Sequence, residues 1–129
     1  MVTRVLFVCL GNICRSPSAE NIMNHLIQQR LLQHQIECDS AGTSSYHIGS
    51  PPDARMAKAA GAYGIHLEGR ARQFIAADFE RFDWILAMDR DNLRDILSLA
   101  SGDDQSQKVK LMCDFSRTFP DQEVPDPYY

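Results

Sequence analysis

The sequence predicts an α/β fold, a three-layer sandwich in which a central four-stranded parallel sheet is flanked by helices. Apolar runs typical of buried strands alternate with helical patterns along the chain. Strands that alternate with helices indicate parallel pairing through right-handed crossovers. A length of 129 residues is enough for one hydrophobic core, so we expect a single domain over 1–129.

Four segments have the composition of strands. The run from Val5 to Val8 is β-branched and aromatic, as expected for a strand buried on both faces of a parallel sheet. The other predicted strands are Ile36 to Ala41, Trp84 to Met88 and Lys108 to Met112.

Helices are predicted between the strands from capping residues and apolar spacing. Ser16 suits an N-cap and Pro17 suits the first helical position. Asp53 caps a second helix that continues to about Tyr63, and Asp91 begins a third. No helix is predicted after the fourth strand, so one sheet face is under-covered, and we expect that the chain lacks a C-terminal helix.

The composition excludes several classes of function. The formal net charge is −4 and the Lys and Arg residues form no run, which argues against binding to nucleic acid or to an acidic membrane. The longest apolar run is too short to span a bilayer, and the first residues do not form a signal peptide. We therefore expect a cytoplasmic protein.

The cysteines point to a reducing compartment. Cys9, Cys14, Cys38 and Cys113 include no Cys-x-x-Cys pair, and no nearby His would complete a zinc site. They are predicted to be free thiols, and we expect neither a metal nor a cofactor. Cys38 and Cys113 are interpreted as small buried hydrophobic residues.

Residues 9–16 join the first strand to the first helix and carry the main functional signal. A tight loop before a helix N-terminus directs backbone N–H groups and the helix dipole at an anion. Five residues separate Cys9 from Arg15, enough to curl around one tetrahedral oxyanion, and Gly11 and Asn12 tolerate the positive φ that a curl requires. The predicted phosphate-binding residues are Leu10, Gly11, Asn12, Ile13, Cys14 and Arg15.

The side chains of this loop indicate separate roles. Positive potential favours the thiolate of Cys9, which can attack phosphorus and form a phosphocysteine. The planar fork of Arg15 can hold two phosphate oxygens, and the Ser16 hydroxyl can donate to the sulfur. Each residue alone is explained as well by an inert thiol, an exposed Arg or a helix cap, but the combination is much more specific.

Phosphoryl transfer also needs a proton donor for the leaving group. Asp126 is the best candidate, in a loop held by Pro125 and Pro127. On spacing alone, a plain Asp-Pro turn explains these residues equally well.

Together these motifs resemble those of the low-molecular-weight protein tyrosine phosphatases over essentially the whole chain. The segment from Val8 to Pro17 is similar to the active-site loop of that family throughout. Further similar segments are Ser40-Ala41-Gly42-Thr43, His47 to Asp53, Arg70-Ala71-Arg72-Gln73, Ala87-Met88-Asp89 and Asp126-Pro127-Tyr128-Tyr129.

The resemblance implies the strand order 2-1-3-4 and three catalytic residues. Cys9 is the implied nucleophile, and Arg15 binds phosphate and stabilises the transition state. Asp126 first protonates the tyrosine leaving group and then acts as base for the attacking water. The implied supporting residues are Asn12, which holds a strained turn, with Ser16, Ser40 and Asp89.

The resemblance also implies a substrate pocket and a redox pair. The implied pocket residues are Ile13, Tyr46, His47, Tyr128 and Tyr129. Cys14 resembles a second loop cysteine that forms a reversible disulfide with Cys9, although simple packing beneath the loop explains Cys14 equally well. Some relatives have a supporting His where this chain has Gly69, so that support is expected to be lost or replaced.

The implied partners are phosphotyrosine-containing proteins, with phosphate or a related oxyanion in the active site, and neither nucleic acid nor a membrane. We expect a monomer with weak self-association, because an uncovered apolar face invites association.

Two other functions remain open. A thioredoxin-coupled arsenate reductase has a similar loop but needs two further cysteines in a relay, and Cys38 and Cys113 are far apart in sequence. A non-catalytic phosphotyrosine-binding module is expected to have lost Cys9, Arg15 or Asp126, and all three are present.

Overall fold

The computed structural model describes residues 1–120 and 122–127 of the chain. Within these residues, four parallel strands form one sheet in the order β2-β1-β3-β4. The strands are β1 (Thr3–Cys9), β2 (Ile36–Gly42), β3 (Trp84–Ala87) and β4 (Val109–Leu111). The predicted α/β fold, the parallel pairing and the strand order are therefore confirmed.

Five α-helices connect the strands in the described part of the chain. They are α1 (Arg15–Gln29), α2 (Ala54–Gly61), α3 (Asp78–Arg81), α4 (Arg90–Leu97) and α5 (Asp103–Ser106). The predicted cap of α2 is confirmed, since the Asp53 carboxylate accepts two backbone N–H groups of the first turn. α4 begins one residue earlier than predicted because Asp89 caps it, accepting the N–H of Asn92 at 2.8 Å.

β1 lies in the middle of the sheet, and its side chains alternate between two cores. Leu6 and Val8 point to the face covered by α3 and α4 and pack in a cluster with residues of both helices. Phe7 and Cys9 point to the opposite face, where Met23 of α1 packs against their cluster. Helices on both faces make the three layers that the sequence predicts.

The α1 face of the sheet carries an apolar groove with a volume of about 500 Å³. Ile22 and Leu26 of α1 line this groove and keep 42% and 40% of their surfaces exposed. The groove agrees with the expectation of an under-covered face, while the expected lack of a C-terminal helix stays a prediction. Within 1–120 and 122–127, no helix is long and apolar enough to cross a membrane.

The strand register aligns the carboxyl ends of the three neighbouring strands. Cys9 pairs with Gly42 at the end of β2, and Val8 pairs with Ala87 at the end of β3. The segments that follow these strands therefore begin side by side, at the edge where open α/β sheets bind ligands.

Candidate active site

The loop between β1 and α1 turns its carbonyl groups away from its centre. The carbonyl oxygens of Cys9, Leu10 and Ile13 accept backbone N–H groups from the 43–53 segment at 2.9, 2.9 and 2.7 Å. Asn12 adopts a φ of 58°, in the left-handed region that a tight curl requires. With its carbonyls bonded outward, the loop has backbone N–H groups left to face an anion at its centre.

Two glycines permit close packing around this loop. A Cβ added at Gly42 would lie 2.7 Å from the carbonyl oxygen of Leu10, and one added at Gly11 would lie 2.8 Å from Cδ2 of His47. Of the two residues expected to tolerate positive φ, Asn12 adopts it and Gly11 does not. Gly11 therefore serves close contact with His47 instead of a left-handed turn.

The sulfur of Cys9 is buried and lies among hydrogen-bond donors. The backbone N–H of Asn12 donates to Sγ at 3.2 Å, and Oγ of Ser16 lies 3.0 Å from it. The one proton of Ser16 has a second acceptor in reach, the Ala41 carbonyl oxygen at 3.3 Å. An ionised sulfur can only accept, so in a thiolate form of the site Ser16 would donate to Sγ.

The side-chain amide of Asn12 fixes the direction of the bonds around it. Its Oδ1 accepts the backbone N–H of Arg72 at 2.9 Å, so its Nδ2 must donate on the other side. Nδ2 donates to Oγ of Ser16 and to Oγ of Ser40, each at 2.9 Å. Ser16 therefore accepts a hydrogen bond from Asn12, and its own proton can go to Cys9 or to the Ala41 carbonyl oxygen.

The predicted role of Ser16 as N-cap of the first helix is wrong. α1 already begins at Arg15, and Cys14 occupies the cap position without a side-chain cap bond. Ser16 is instead inside the first turn and fully buried, with its hydroxyl among Cys9, Asn12 and Ala41.

The guanidinium of Arg15 is buried and contacts three residues from two other segments of the chain. Nη1 donates to Oδ2 of Asp89 at 2.6 Å and to the carbonyl oxygen of Val124 at 2.9 Å. Nη2 lies 3.3 Å from Oδ2 of Asp126. These contacts bring Asp89 and Asp126, which are 74 and 111 residues away from Arg15 in sequence, to the same end of the loop as Cys9.

A small pocket opens beside the Cys9 sulfur. Its lining residues are Cys9, Gly11, Ile13, Cys14, Arg15, His47 and Asp126. Of the predicted pocket residues, Ile13 and His47 are therefore at the pocket, whereas Tyr46 is not in its lining and is 87% exposed. Tyr128 and Tyr129 lie outside the described residues. Among the described residues, no cluster of His, Cys, Asp or Glu side chains is arranged to hold a metal ion.

Two of the other cysteines, Cys14 and Cys38, have raised pKa values. Burial, with the charges of Asp53 and Asp126, raises the pKa of the Cys14 thiol to about 11. Burial also raises the pKa of Cys38 to about 12, and its thiol lies 3.0 Å from Oδ1 of Asn24. Cys38 and Cys113 are half-buried, so the expectation that both are buried is only partly met.

Three groups at the site escaped prediction from the sequence. The carbonyl of Val124 holds Arg15, the backbone of Arg72 orients Asn12, and the carboxylate of Glu20 accepts the Ser40 hydroxyl proton at 2.5 Å. A signal was available for Glu20 alone, because it follows Ser16 by one helical turn and therefore shares its helix face.

The position of Gly69 leaves open space close to Asn12. Gly69 has a φ of 107°, and a Cβ there would meet no atom within 4 Å. It lines a cavity of about 50 Å³ together with Asn12, Glu20 and Ser40. The expected loss of a supporting His is therefore accompanied by other support, since Asn12 is bonded to three segments of this chain.

Comparisons with known proteins identify related chains. Residues 4–129 match the family described as "Low molecular weight phosphotyrosine protein phosphatase". A Synechocystis sp. chain provisionally named a low molecular weight protein-tyrosine-phosphatase is 57% identical over 126 residues, which cover 98% of this chain and 80% of that one.

Solved structures are similar over the same length. A crystal structure of protein tyrosine phosphatase from Entamoeba histolytica, with Hepes in its active site, has a TM-score of 0.93 and 46% identity over 98% of this chain and 81% of that one. The drosophila arginine phosphatase DARP has a TM-score of 0.87 and 38% identity over 97% and 80% of the two chains. With a family match over nearly its whole length and a buried cysteine loop at the matching edge of the sheet, the chain belongs to the low molecular weight phosphotyrosine protein phosphatases.

Proposed function

We propose that this phosphatase hydrolyses phosphotyrosine in proteins, and small aryl phosphates, through a phosphocysteine intermediate on Cys9. The observation that carries the proposal is the surroundings of the Cys9 sulfur. It is buried at the N-terminus of α1, accepts the Asn12 N–H at 3.2 Å, and opens to a pocket shared with Arg15 and Asp126. Such surroundings favour a thiolate aimed at a bound phosphate.

In the first step, the thiolate of Cys9 attacks phosphorus. A sulfur–phosphorus bond forms while the bond between phosphorus and the aryl oxygen breaks, and Asp126 gives its proton to the leaving oxygen. The N–H groups of residues 10–14 and the Arg15 fork stabilise the charge on the transferring phosphoryl group.

Arg15 is oriented for this role by its other contacts. Asp89 and the Val124 carbonyl hold Nη1, which fixes the plane of the guanidinium. Nη2 faces Asp126, so a phosphate that binds Arg15 would compete with the Asp126 carboxylate for the same N–H. That competition releases Asp126 toward the leaving group.

In the second step, water attacks the phosphocysteine. Asp126, now ionised, takes a proton from the water, the sulfur–phosphorus bond breaks, and inorganic phosphate leaves. The hydroxyl of Ser16, 3.0 Å from Sγ, donates to the departing sulfur and restores the starting thiolate.

The pocket supports an aromatic phosphoester as substrate. The side chains of Ile13 and His47 line it and offer apolar and aromatic contact to a phenyl ring. We propose that Tyr46, Tyr128 and Tyr129 complete its walls, as the family resemblance implies. The free thiols of the described cysteines support action in a reducing cytoplasm.

The test is hydrolysis of p-nitrophenyl phosphate by the wild type, by Cys9→Ser and by the matched control Cys113→Ser. We expect Cys9→Ser to lose turnover while still binding inorganic phosphate, because Arg15 and the backbone N–H groups of residues 10–14 remain. Cys113→Ser is expected to keep wild-type kcat/KM. Full activity of Cys9→Ser would rule out the phosphocysteine.

The sheet order and peptide experiments separate the other candidate functions from this one. The sheet order argues against a cysteine relay for arsenate reduction, because Cys38 lies on the edge strand β2 and Cys113 follows the opposite edge strand β4. Tight phosphopeptide binding without turnover would instead indicate a binding module. Since one relative is titled an arginine phosphatase, phosphotyrosine and phosphoarginine peptides should be compared, and we expect the phosphotyrosine peptide to be preferred.

A further inference from the structure

Glu20 meets the active-site network from the side opposite the substrate pocket. It lies on α1, one turn beyond Ser16, and its Oε1 accepts the hydroxyl proton of Ser40 at 2.5 Å. We propose that Glu20 is a positioning residue for the nucleophile, which acts through Ser40, Asn12 and Ser16 to hold a hydrogen bond on the Cys9 sulfur. This inference rests on the proposed role of Cys9 as nucleophile.

The argument follows the protons from Glu20 to the sulfur. An ionised carboxylate can only accept, so the single proton of Ser40 points to Glu20 and the Ser40 oxygen is left to accept from Asn12 at 2.9 Å. Asn12 uses its second amide proton on Ser16, also at 2.9 Å. Ser16, already an acceptor, then has its own proton for the Cys9 thiolate at 3.0 Å in preference to the Ala41 carbonyl oxygen at 3.3 Å. Glu20 thus favours the same direction of bonding that the Arg72 N–H imposes on Asn12.

The surroundings of Glu20 explain why one carboxylate can have this influence. Its side chain is half-buried and borders the 50 Å³ cavity. Burial raises its pKa, and the negative charges of Asp39 and Glu68 add to the rise, while the bond from Ser40 and the charge of Arg72 oppose it. Two further groups face the same region: Arg70 lines the cavity, and the Cys38 thiol donates to the Glu20 carbonyl oxygen at 3.4 Å.

The protonation state of Glu20 should therefore alter the sulfur's environment. Protonated Glu20 keeps an acceptor oxygen but also carries an O–H that can donate to Ser40, so the direction of the bond between the two residues is no longer fixed. The support is present above the pKa of Glu20 and is lost as the pH falls through it. Because that pKa is raised, the loss occurs closer to neutral pH than for an exposed glutamate.

The experiment compares Glu20→Ala and Glu20→Gln with the wild type and with Glu68→Gln as a matched control. Glu68 borders the same cavity and carries the same charge, but its side chain is exposed and has no recorded bond to Ser40 among the described residues. Two quantities are measured over a range of pH: the rate at which iodoacetamide alkylates Cys9, mapped by peptide mass, and kcat/KM for p-nitrophenyl phosphate.

We expect Glu20→Ala to lower both quantities about tenfold at neutral pH, since it removes a hydrogen bond to a charged group. Glu20→Gln resembles the protonated acid at every pH, since its amide can both accept and donate and does not titrate. Its alkylation rate relative to the wild type is therefore expected to rise toward one as the pH falls. Glu68→Gln is expected to keep a pH-dependent profile like that of the wild type, with the loss moved to lower pH because a negative charge near Glu20 is removed.

Two results would overturn the inference. One is a Glu20→Gln profile parallel to that of the wild type at every pH, which decides the matter even if Glu20→Ala unfolds. The other is an equal effect of Glu68→Gln, which would show that only local charge matters. If the wild type alkylates at Cys9 but hydrolyses no aryl phosphate, the proposed function fails while the alkylation profiles still test Glu20.

Discussion

Single residues at this site act through the number of hydrogen bonds that they can donate and accept. Asn12 has two amide protons and one carbonyl oxygen, and each is committed to a different segment of the chain. Ser16 has one hydroxyl proton to donate and accepts one hydrogen bond from Asn12, so it can donate to Cys9 without leaving its oxygen unpaired. An Asp at this position could not donate at neutral pH. Replacing Asn12 by Asp would therefore remove the hydrogen bonds that Ser16 and Ser40 accept, and the two hydroxyl groups would donate to residue 12 instead.

The contribution of Asp126 to kcat is expected to be larger when the leaving group is more basic. Asp126→Asn removes the acid while keeping the shape, and it should lower kcat for phenyl phosphate by about 10²- to 10⁴-fold. The loss for p-nitrophenyl phosphate should be much smaller, because nitrophenolate leaves without protonation. Steady-state kinetics with the two esters measure the difference, and equal losses would contradict the role of Asp126 as acid.

Cys14 and Cys38 are expected to resist alkylation at pH 8. Their pKa values are raised to about 11 and about 12, so both thiols stay protonated below those values and react slowly. Peptide mass mapping after timed exposure to iodoacetamide should show modified Cys9 long before modified Cys14. Fast modification of Cys14 at pH 8 would show that its surroundings do not suppress the thiolate.

At the scale of secondary structure, the site depends on where β1 and β2 end. The two strands finish in register at Cys9 and Gly42, and the segment after β2 bonds to the end of β1 and the loop that follows it. The N–H of Thr43 donates to the Cys9 carbonyl at 2.9 Å, and the Gly42 carbonyl accepts the N–H of Phe74 at 2.7 Å. The loop between β1 and α1 is therefore shaped by its neighbours as much as by its own residues.

Gly42→Ala tests this dependence of the loop on β2. The added Cβ would lie 2.7 Å from a backbone oxygen of the loop, which has no flexible side chain to yield. We expect kcat/KM for p-nitrophenyl phosphate to fall by about 100-fold, the size of effect that a 1 Å misplacement causes. The control is Gly61→Ala at the end of α2, where the Cβ meets no atom within 4 Å, and it should leave activity unchanged.

At the scale of the whole molecule, an ion-paired segment ties the loop to the sheet. The Arg72 guanidinium bonds both oxygens of Asp78, which is fully buried, and also Oδ2 of Asp39 on β2. The same residue gives its backbone N–H to Asn12. Stability and the geometry of the active site are thus coupled through Arg72.

Arg72→Leu is expected to lower the free energy of unfolding by about 2 kcal/mol. Leaving a buried carboxylate unpaired typically costs about 3–5 kcal/mol, and the estimate is reduced because the Arg72 side chain keeps 31% of its surface in solvent. Arg94→Leu is the control, since Arg94 and Asp91 are 73% and 78% exposed, and it should change stability by about 0.5 kcal/mol or less. Urea unfolding measures both, and equal effects would contradict the prediction.

Much of this protein was predictable because the signals are local. The alternation of apolar strands with helices sets the fold class. Residues 9–16 lead from a strand through Cys9, a curled loop and Arg15 into a helix, and this order indicates an anion cradle, a loop whose backbone N–H groups surround an anion. Asn12 was recognisable as a residue that tolerates the left-handed turn it adopts. Periodicity and short spacing carry these features, so no distant contact is needed to infer them.

Only the tertiary structure decided which residues surround that cradle. Asp89 and Val124 reach Arg15 from 74 and 109 residues away, and Glu20 reaches Asn12 only through Ser40 at the end of another strand. The sequence also placed Ser16 as a helix cap, whereas it lies inside the first turn of α1, while its predicted contact with the Cys9 sulfur is present at 3.0 Å. The physical reason is that hydrogen-bond partners are chosen by the register of parallel strands, which brings together residues that have no relation along the chain.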